Sequence, residues 1–344
     1  METMSWRIRA ARGSDVGALL ELARLTGGGF TNLPADEASL AARLARSDAS
    51  FARTEDAPDD ELYILLLEQA STGRIGGCGM LFSRIGAQWP FYSYKLGTLS
   101  QTSRELGRSF ALPFLSLVSD HDGASEVGGL FLHPELRTGG LGRLLARSRY
   151  LFIAQHRARF GNKMLAELRG VLDDEGNSPF WDGLGRKFFG MSFPEADTLN
   201  AVNGSQFIAD LMPKHPIYTA LLPQSARDVI GQPHAKGRAA LAMLETEGFQ
   251  FDNYVDIFDG GPTVTARTDD LRTVRDSRVA KIARLSPIGH GLERALLATG
   301  RLADFQAWIG HVGPGGDEAT CVLPAGEAEA MDLEIGDELR HVGF

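Results

Sequence analysis

The stretch PELRTGGLGRLLARSR, Pro134 to Arg149, decides the fold. An apolar strand-like run, SEVGGLFLHPEL, leads into it, and a helix-like run, GGLGRLLARSRYLFIAQHRARFG, leaves it. A strand that turns through glycines into a helix presents backbone N–H groups at the helix start. Those donors and the helix dipole favour anions, phosphate above all. Glycine lets the backbone approach, where a side chain would hold the anion off. Walker A spacing is absent. The dinucleotide pattern fails because its third glycine position holds Leu145. What remains is R-x-x-G-x-G, met by Arg137, Gly140 and Gly142. From the loop alone, an ordinary strand-turn-helix with glycines for close packing stays open beside a pyrophosphate loop.

Outward from the loop, the chain reads as alternating strands and helices. Trp6–Ala10 alternates as a strand, and SDVGALLELARLTG follows as a helix capped by Ser14 and ended by Gly27-Gly28-Gly29. A second helix starts after Pro34, and ELYILLLEQ and IGGCGMLFSRI are strands. WPFYSYKLGTLSQ and KMLAELRGV read as further strands. SPFWDGLGRKFF predicts a helix with Ser178 as cap and Pro179 in its first position. Helical stretches follow at Phe207–Met212, around Ser225–Ile230 and over GRAALAMLETEGF, and NYVDIFDGGP is strand and turn. After about Thr265 the texture changes to short strand signals and many turn residues. FWDGLGRKFF and MLETEGFQF echo one another, which suggests two related halves or chance. The expected organisation is an α/β domain over 1–265, with an internal division near 195–205, and a small β-rich region over 266–344.

The 344 residues are 43% hydrophobic, enough for a sizeable core, and the net charge of −9 disfavours bulk nucleic-acid binding. Cys78 and Cys321 stand alone, so neither a disulfide framework nor a cysteine zinc site is expected, and no metal is predicted. The N-terminal stretch has no apolar core of a signal peptide, and no run reaches the ~18 apolar residues of a membrane span. A cytoplasmic protein that binds neither membrane nor nucleic acid is the expectation.

The R-x-x-G-x-G loop after LFLHPEL resembles the pyrophosphate loop of the GNAT superfamily of acyl-CoA N-acyltransferases. TGGGFTNLPADE, FYSYKLG, LPFLSLVSDHDG, AELRGVLDDEGNSPFWDGLGRKFF, FIADLMPKHPIY, DVIGQPHA and NYVDIFDGGPT, in this order, resemble the arginine N-succinyltransferase family. The resemblance runs from about Arg7 to Thr265 and thins beyond. It implies a GNAT-like α/β fold with a β-rich C-terminal part. It implies transfer of the succinyl group of succinyl-CoA to the α-amino group of L-arginine, in a ternary complex and with no permanently bound cofactor. It also implies a homo-oligomer, or a hetero-oligomer with a paralogous chain that also takes ornithine. A non-catalytic acyl-CoA-binding module is the reading from another class.

The resemblance places a catalytic histidine, a proton donor, at His234 in VIGQPHAKG. An imidazole titrates near neutrality and can give or take a proton. His215 and Glu126 are rivals, Glu126 as a base at the start of the central strand. The family's acyl-CoA contact maps to the backbone at Leu130, with Leu132 beside it, and Arg137, Gly140 and Gly142 would hold the pyrophosphate. An arginine substrate asks for a carboxylate to meet its guanidinium, and its own carboxylate and the succinyl tail ask for cations. Asp36, Glu37 and Glu167 are candidates for the first task, Lys95 and Arg169 for the second. Each reads equally as a solvated surface charge. The loop TGGGFTNLP is a candidate cover over the acceptor. Tyr92 and Tyr94 are candidate donors to the leaving thiolate, or half-buried packing residues.

Overall fold

A computed structural model describes residues 6–26, 32–204, 206–287 and 291–344. Among the described residues, fifteen strands and eleven α-helices follow one another. In chain order they begin β1 (Trp6–Ala10), α1 (Val16–Leu25), α2 (Glu37–Ala52), β2 (Leu62–Gln69), β3 (Ile75–Phe82), β4 (Ser93–Ser103), β5 (Arg108–Val118) and β6 (Ser125–Leu132). Then come α3 (Leu141–Gln155), β7 (Lys163–Glu167), α4 (Pro179–Gly183), α5 (Arg186–Phe189), α6 (Phe193–Asn203), α7 (Gln206–Leu211) and β8 (Ile217–Tyr218). They end with α8 (Gln224–Val229), α9 (Arg238–Glu247), β9 (Gln250–Val255), β10 (Pro262–Arg267), α10 (Arg272–Asp276), β11 (Arg278–Ser286), β12 (Glu293–Thr299), β13 (Gln306–Pro314), β14 (Thr320–Pro324), α11 (Ala325–Ala330) and β15 (Glu338–Gly343).

The chain divides into two compact units, neither continuous in sequence. The first holds Met1–Ser83, Val127–Phe160 and Thr268–Phe344, and the second Arg84–Glu126 and Gly161–Arg267. Strands far apart in sequence pair: Arg7 to Arg9 of β1 lie against Trp308 to Gln306 of β13. Backbone pairing, not chain order, therefore sets the first unit. The echoing segments FWDGLGRKFF and MLETEGFQF both lie in the second unit and so do not mark its boundary.

In the first unit β13, β1, β2, β3 and β6 follow one another as neighbours. Leu62, Ile64 and Leu66 of β2 and Cys78 and Met80 of β3 pack beneath Leu19 and Leu22 of α1 and Leu40 and Leu44 of α2. α2 begins where its cap says it should, since the Asp36 carboxylate accepts the Ser39 N–H at 2.8 Å. Ser14 is not the cap of α1. It sits in a short 3₁₀ turn instead, and Asp15 takes the Arg12 N–H at 2.8 Å. The β-rich C-terminal part closes on itself. β12 pairs β15, β15 pairs β11, β11 pairs β14, β14 pairs β13, and β13 pairs β12 again. Its interior holds Ala280, Ile282, Leu297, Trp308, Leu323 and Leu339.

The second unit carries the strand order β7, β10, β9, β4, β5, β8, and the first two residues of β6 pair parallel with β7. Its core gathers Tyr94, Leu115, Phe180, Trp181, Val255 and Phe258. Trp181 stacks on Phe258 at 5.6 Å and on Phe189 at 5.5 Å. Ser178 caps α4 as expected, accepting the Trp181 N–H at 3.1 Å. The helix breaks after Gly183 rather than running on to Phe189. Among the described residues, no helix is long and apolar enough to cross a membrane.

Candidate active site

Two groups of candidate residues form, each inside its own unit. In the first unit β6 passes Gly129 with φ +54°. A Cβ there would meet the Met80 side chain at 2.6 Å, so the bend and the close approach both call for glycine. Leu130 and Leu132 are half-buried, and the Leu132 carbonyl accepts Arg137 Nε at 3.3 Å. Gly140 sits left-handed at φ +90°, and α3 begins at the next residue. The first-turn N–H groups of a helix have no acceptor inside it. With exposed Arg137 beside them, they form a candidate anion-binding turn.

In the second unit His234 is held by its backbone. Its N–H donates to the Arg169 carbonyl at 2.8 Å, and Pro233 bridges to Gly170. Its Nδ1 accepts the Lys236 N–H at 3.2 Å. The neutral ring therefore carries its proton on Nε2, where it can donate. Burial first, then Arg169 and Lys236, holds the imidazole below its usual value. Arg169 is half-buried, its Nε has no hydrogen-bond partner, and burial lowers its own value.

Carboxylates collect at the ends of β6, β7 and β9. Glu126 precedes the bend of β6, and Glu167 ends β7, its Oε1 accepting Thr263 Oγ1 at 3.3 Å. Burial pushes Glu167 well above the usual carboxylate range, and the charges of Asp256, Glu126 and Asp259 add to it. Asp259 is also raised well above its ordinary value, by burial and then by Asp256, although it accepts the N–H groups of Gly170 at 2.7 Å and Gly261 at 2.8 Å. A site that crowds carboxylates out of water binds cations and stores protons.

Asp256 and Asp259 were missed in the sequence, although NYVDIFDGGP stood out there. The signal was the spacing D-x-x-D-G-G. Gly170 and Gly261 have no room for a Cβ, which would strike the Asp259 and Leu168 carbonyls. Asp259 thus holds the backbone at Gly170, next to the Arg169 carbonyl that takes the His234 N–H, and Asp256 holds the turn at Phe258 and Asp259.

The other candidates are engaged or exposed in other ways, although Tyr94 pairs with Val255 beside Asp256, whose charge adds to burial in raising its hydroxyl. Asp36 is engaged as the cap of α2. Lys95 pairs with Asp120 at 3.4 Å and lies over the Tyr254 ring, whose hydroxyl donates to Asp120 at 2.8 Å. His215 is exposed, Tyr94 is core, and Tyr92 donates to Gln206 at 3.4 Å. The glycines of TGGGFTNLP, and with them the expected end of the first helix, lie in 27–31, outside the described residues. Cys78 is buried with its thiol pushed up to about 12, and Cys321 is buried and raised, so neither is a ready nucleophile.

Residues 6–273 match a family described as arginine N-succinyltransferase beta subunit, and residues 278–343 match its C-terminal domain. The likeness thus continues where the sequence alone showed it thinning. Arginine N-succinyltransferases of Escherichia coli O139:H28 and Shigella flexneri are 42% identical over 335 residues, 97% of this chain and 96% of theirs. The arginine/ornithine succinyltransferase subunit AI of Pseudomonas aeruginosa superposes with a TM-score of 0.88 at 32% identity, covering 98% of each chain. The fold class is the expected one, α/β with a β-rich C-terminal part, and it is shared with that succinyltransferase subunit.

Proposed function

We propose, from the premise that the chain belongs to the arginine N-succinyltransferase beta subunit family, that it moves the succinyl group of succinyl-CoA to the α-amino group of L-arginine. It is an acyltransferase whose co-substrate is a CoA thioester. The full-length likeness to arginine N-succinyltransferases carries this reading, and the geometry accords with it. The β6–α3 turn suits the pyrophosphate, with Arg137, Gly140 and Gly142 around it and the backbone of Leu130 and Leu132 along the pantetheine. The carboxylates suit a cationic amino acid. Glu167, with its raised affinity for protons, takes one from the α-ammonium, and Glu126 adds negative charge beside it. The free amine then attacks the thioester carbonyl directly. As the C–S bond breaks, His234 donates from Nε2 to the departing sulfur and takes in return the second proton that the attacking nitrogen sheds, so the imidazole ends neutral. Arg169, whose carbonyl holds the His234 N–H, serves the carboxylate groups. The reaction runs in the cytoplasm.

Thiol release from succinyl-CoA and acetyl-CoA, with arginine, ornithine and lysine as acceptors, tests this. The expected preference is succinyl-CoA with arginine. His234→Ala is expected to lower kcat by ~10²-fold or more while CoA binding persists. CoA binding without turnover in the unaltered protein would point to a binding module or a missing partner chain.

A second reading draws on the arginine/ornithine enzyme of Pseudomonas aeruginosa, whose solved chain is named a subunit. Leu99, Leu106 and Phe110 are exposed on the β4–β5 hairpin, an apolar surface suited to an oligomer of this chain or of this chain with a paralogue. Arginine and ornithine competing for one site would favour this second reading.

A further inference from the structure

We propose that Arg143 and Arg294, held over the ring of Phe344 beside the Gly139–Gly140 turn, form a second phosphate subsite that takes the ribose 3′-phosphate of the acyl-CoA. This rests on the reading of that turn as the pyrophosphate site.

The two guanidinium carbons lie 4.7 Å and 4.0 Å from the ring centroid of Phe344. Arg143 comes from the first turn of α3, Arg294 from β12. A Cβ on Gly140 would touch the Phe344 ring at 2.7 Å, so glycine here makes room for the ring as well as for the left-handed backbone. Arg294 Nη2 reaches the Gly139 carbonyl at 3.5 Å. The ring is itself tied down. The Phe344 N–H donates to the Arg294 carbonyl at 3.3 Å, and the Gly343 carbonyl accepts Arg147 Nη1 at 2.8 Å.

Among the described residues, neither arginine faces a carboxylate. Both side chains are exposed, and two guanidinium groups sharing one ring repel each other, so an anion placed between them is attracted by both. An aromatic ring under a guanidinium fixes its direction and leaves its in-plane N–H groups free for a phosphate. Charge count chooses which phosphate. Arg137 and the start of α3 match the pyrophosphate. The remaining phosphomonoester carries between one and two negative charges near neutrality and matches two further arginines. Phe344 is then a positioning residue, because it acts through the arginines.

The test compares KM for succinyl-CoA and for 3′-dephospho-succinyl-CoA, with arginine saturating. The unaltered protein is expected to prefer the phosphorylated form by about tenfold or more. Arg294→Ala is expected to raise KM for succinyl-CoA by about tenfold, to leave KM for the dephospho form and kcat unchanged, and so to erase the preference. Arg294→Lys should keep part of it, and Phe344→Leu should weaken it without removing it. Equal losses on both substrates, or none on either, would overturn the proposal. So would an unaltered protein that turns over both forms alike, and the pyrophosphate reading would survive that result. An unaltered protein that binds neither form would remove that reading, and the subsite with it.

Discussion

The two groups of charges are built in opposite ways. The turn proposed to bind anions in the first unit has exposed arginines and a helix start, whereas the second unit crowds carboxylates among apolar neighbours. Phosphates keep their charge near pH 7, so solvated cations and a helix start suffice to hold them. An amine must lose its proton before it can react. That calls for groups whose own protonation has been moved toward neutrality, and burial is the means. On the proposed reading, one region holds charge and the other moves it.

The sharpest way to break this contrast is Glu167→Gln. Removing the carboxylate is expected to lower kcat/KM for arginine by about a hundredfold, with KM for acyl-CoA unchanged, in steady-state assays of thiol release. The same change relieves crowding with Glu126, Asp256 and Asp259, so the melting midpoint should rise. A variant that lost activity and stability together would make Glu167 a structural residue.

Salt sharpens the contrast on the other side. Raising KCl from about 0.05 M to about 0.5 M should raise KM for acyl-CoA by about tenfold, because screening acts on exposed arginines. KM for arginine should move far less, since its carboxylates are shielded from ions. Arg137→Ala should flatten the salt dependence of acyl-CoA binding.

The smallest expected effect concerns protons that the reaction does not use. His121 is buried against Tyr254, ring to ring at 4.3 Å, and is pushed down to about 4 by burial and then by Lys163. Asp120 and Asp252 oppose that shift, and Lys95 adds to it. Between about pH 6.5 and pH 4 the unfolded chain binds this proton and the folded chain does not, so stability falls as the pH falls. Relative to His121→Phe, the unaltered protein should lose about 1 kcal/mol per pH unit across that window, read from urea midpoints. Parallel curves for the two proteins would refute it.

Much of the fold was legible because its signals are local. The alternation of β1, the run of β2, the caps Asp36 and Ser178 and the left-handed stop at Gly248 are each set within a few residues. The R-x-x-G-x-G turn was legible for the same reason. The hairpin partner β5 was passed over because Arg108–Val118 lacks clean alternation, and the two-unit division because it depends on pairings such as Ile8 with Ala307. In the candidate site, His234 and Glu167 could be named from sequence, but the role of Asp259 could not. Its partners Gly170 and Gly261 offer only backbone N–H groups, which no side-chain pattern advertises. Arg294 and Phe344 reach the turn from a region where the texture had changed, and nothing in their neighbours pointed back to residue 140.

The shared strand β13 has a further consequence. It is a stave of the closed β-rich part and, through Gln306 to Trp308, the cover for β1. Cutting the chain near residue 277 would strip that cover and leave β1 with a row of bare donors and acceptors, an invitation to stick to any other strand. A segment that the family's sequences mark off as a separate module is, mechanically, a splint: it keeps the sheet that bears the acyl-CoA strand from polymerising.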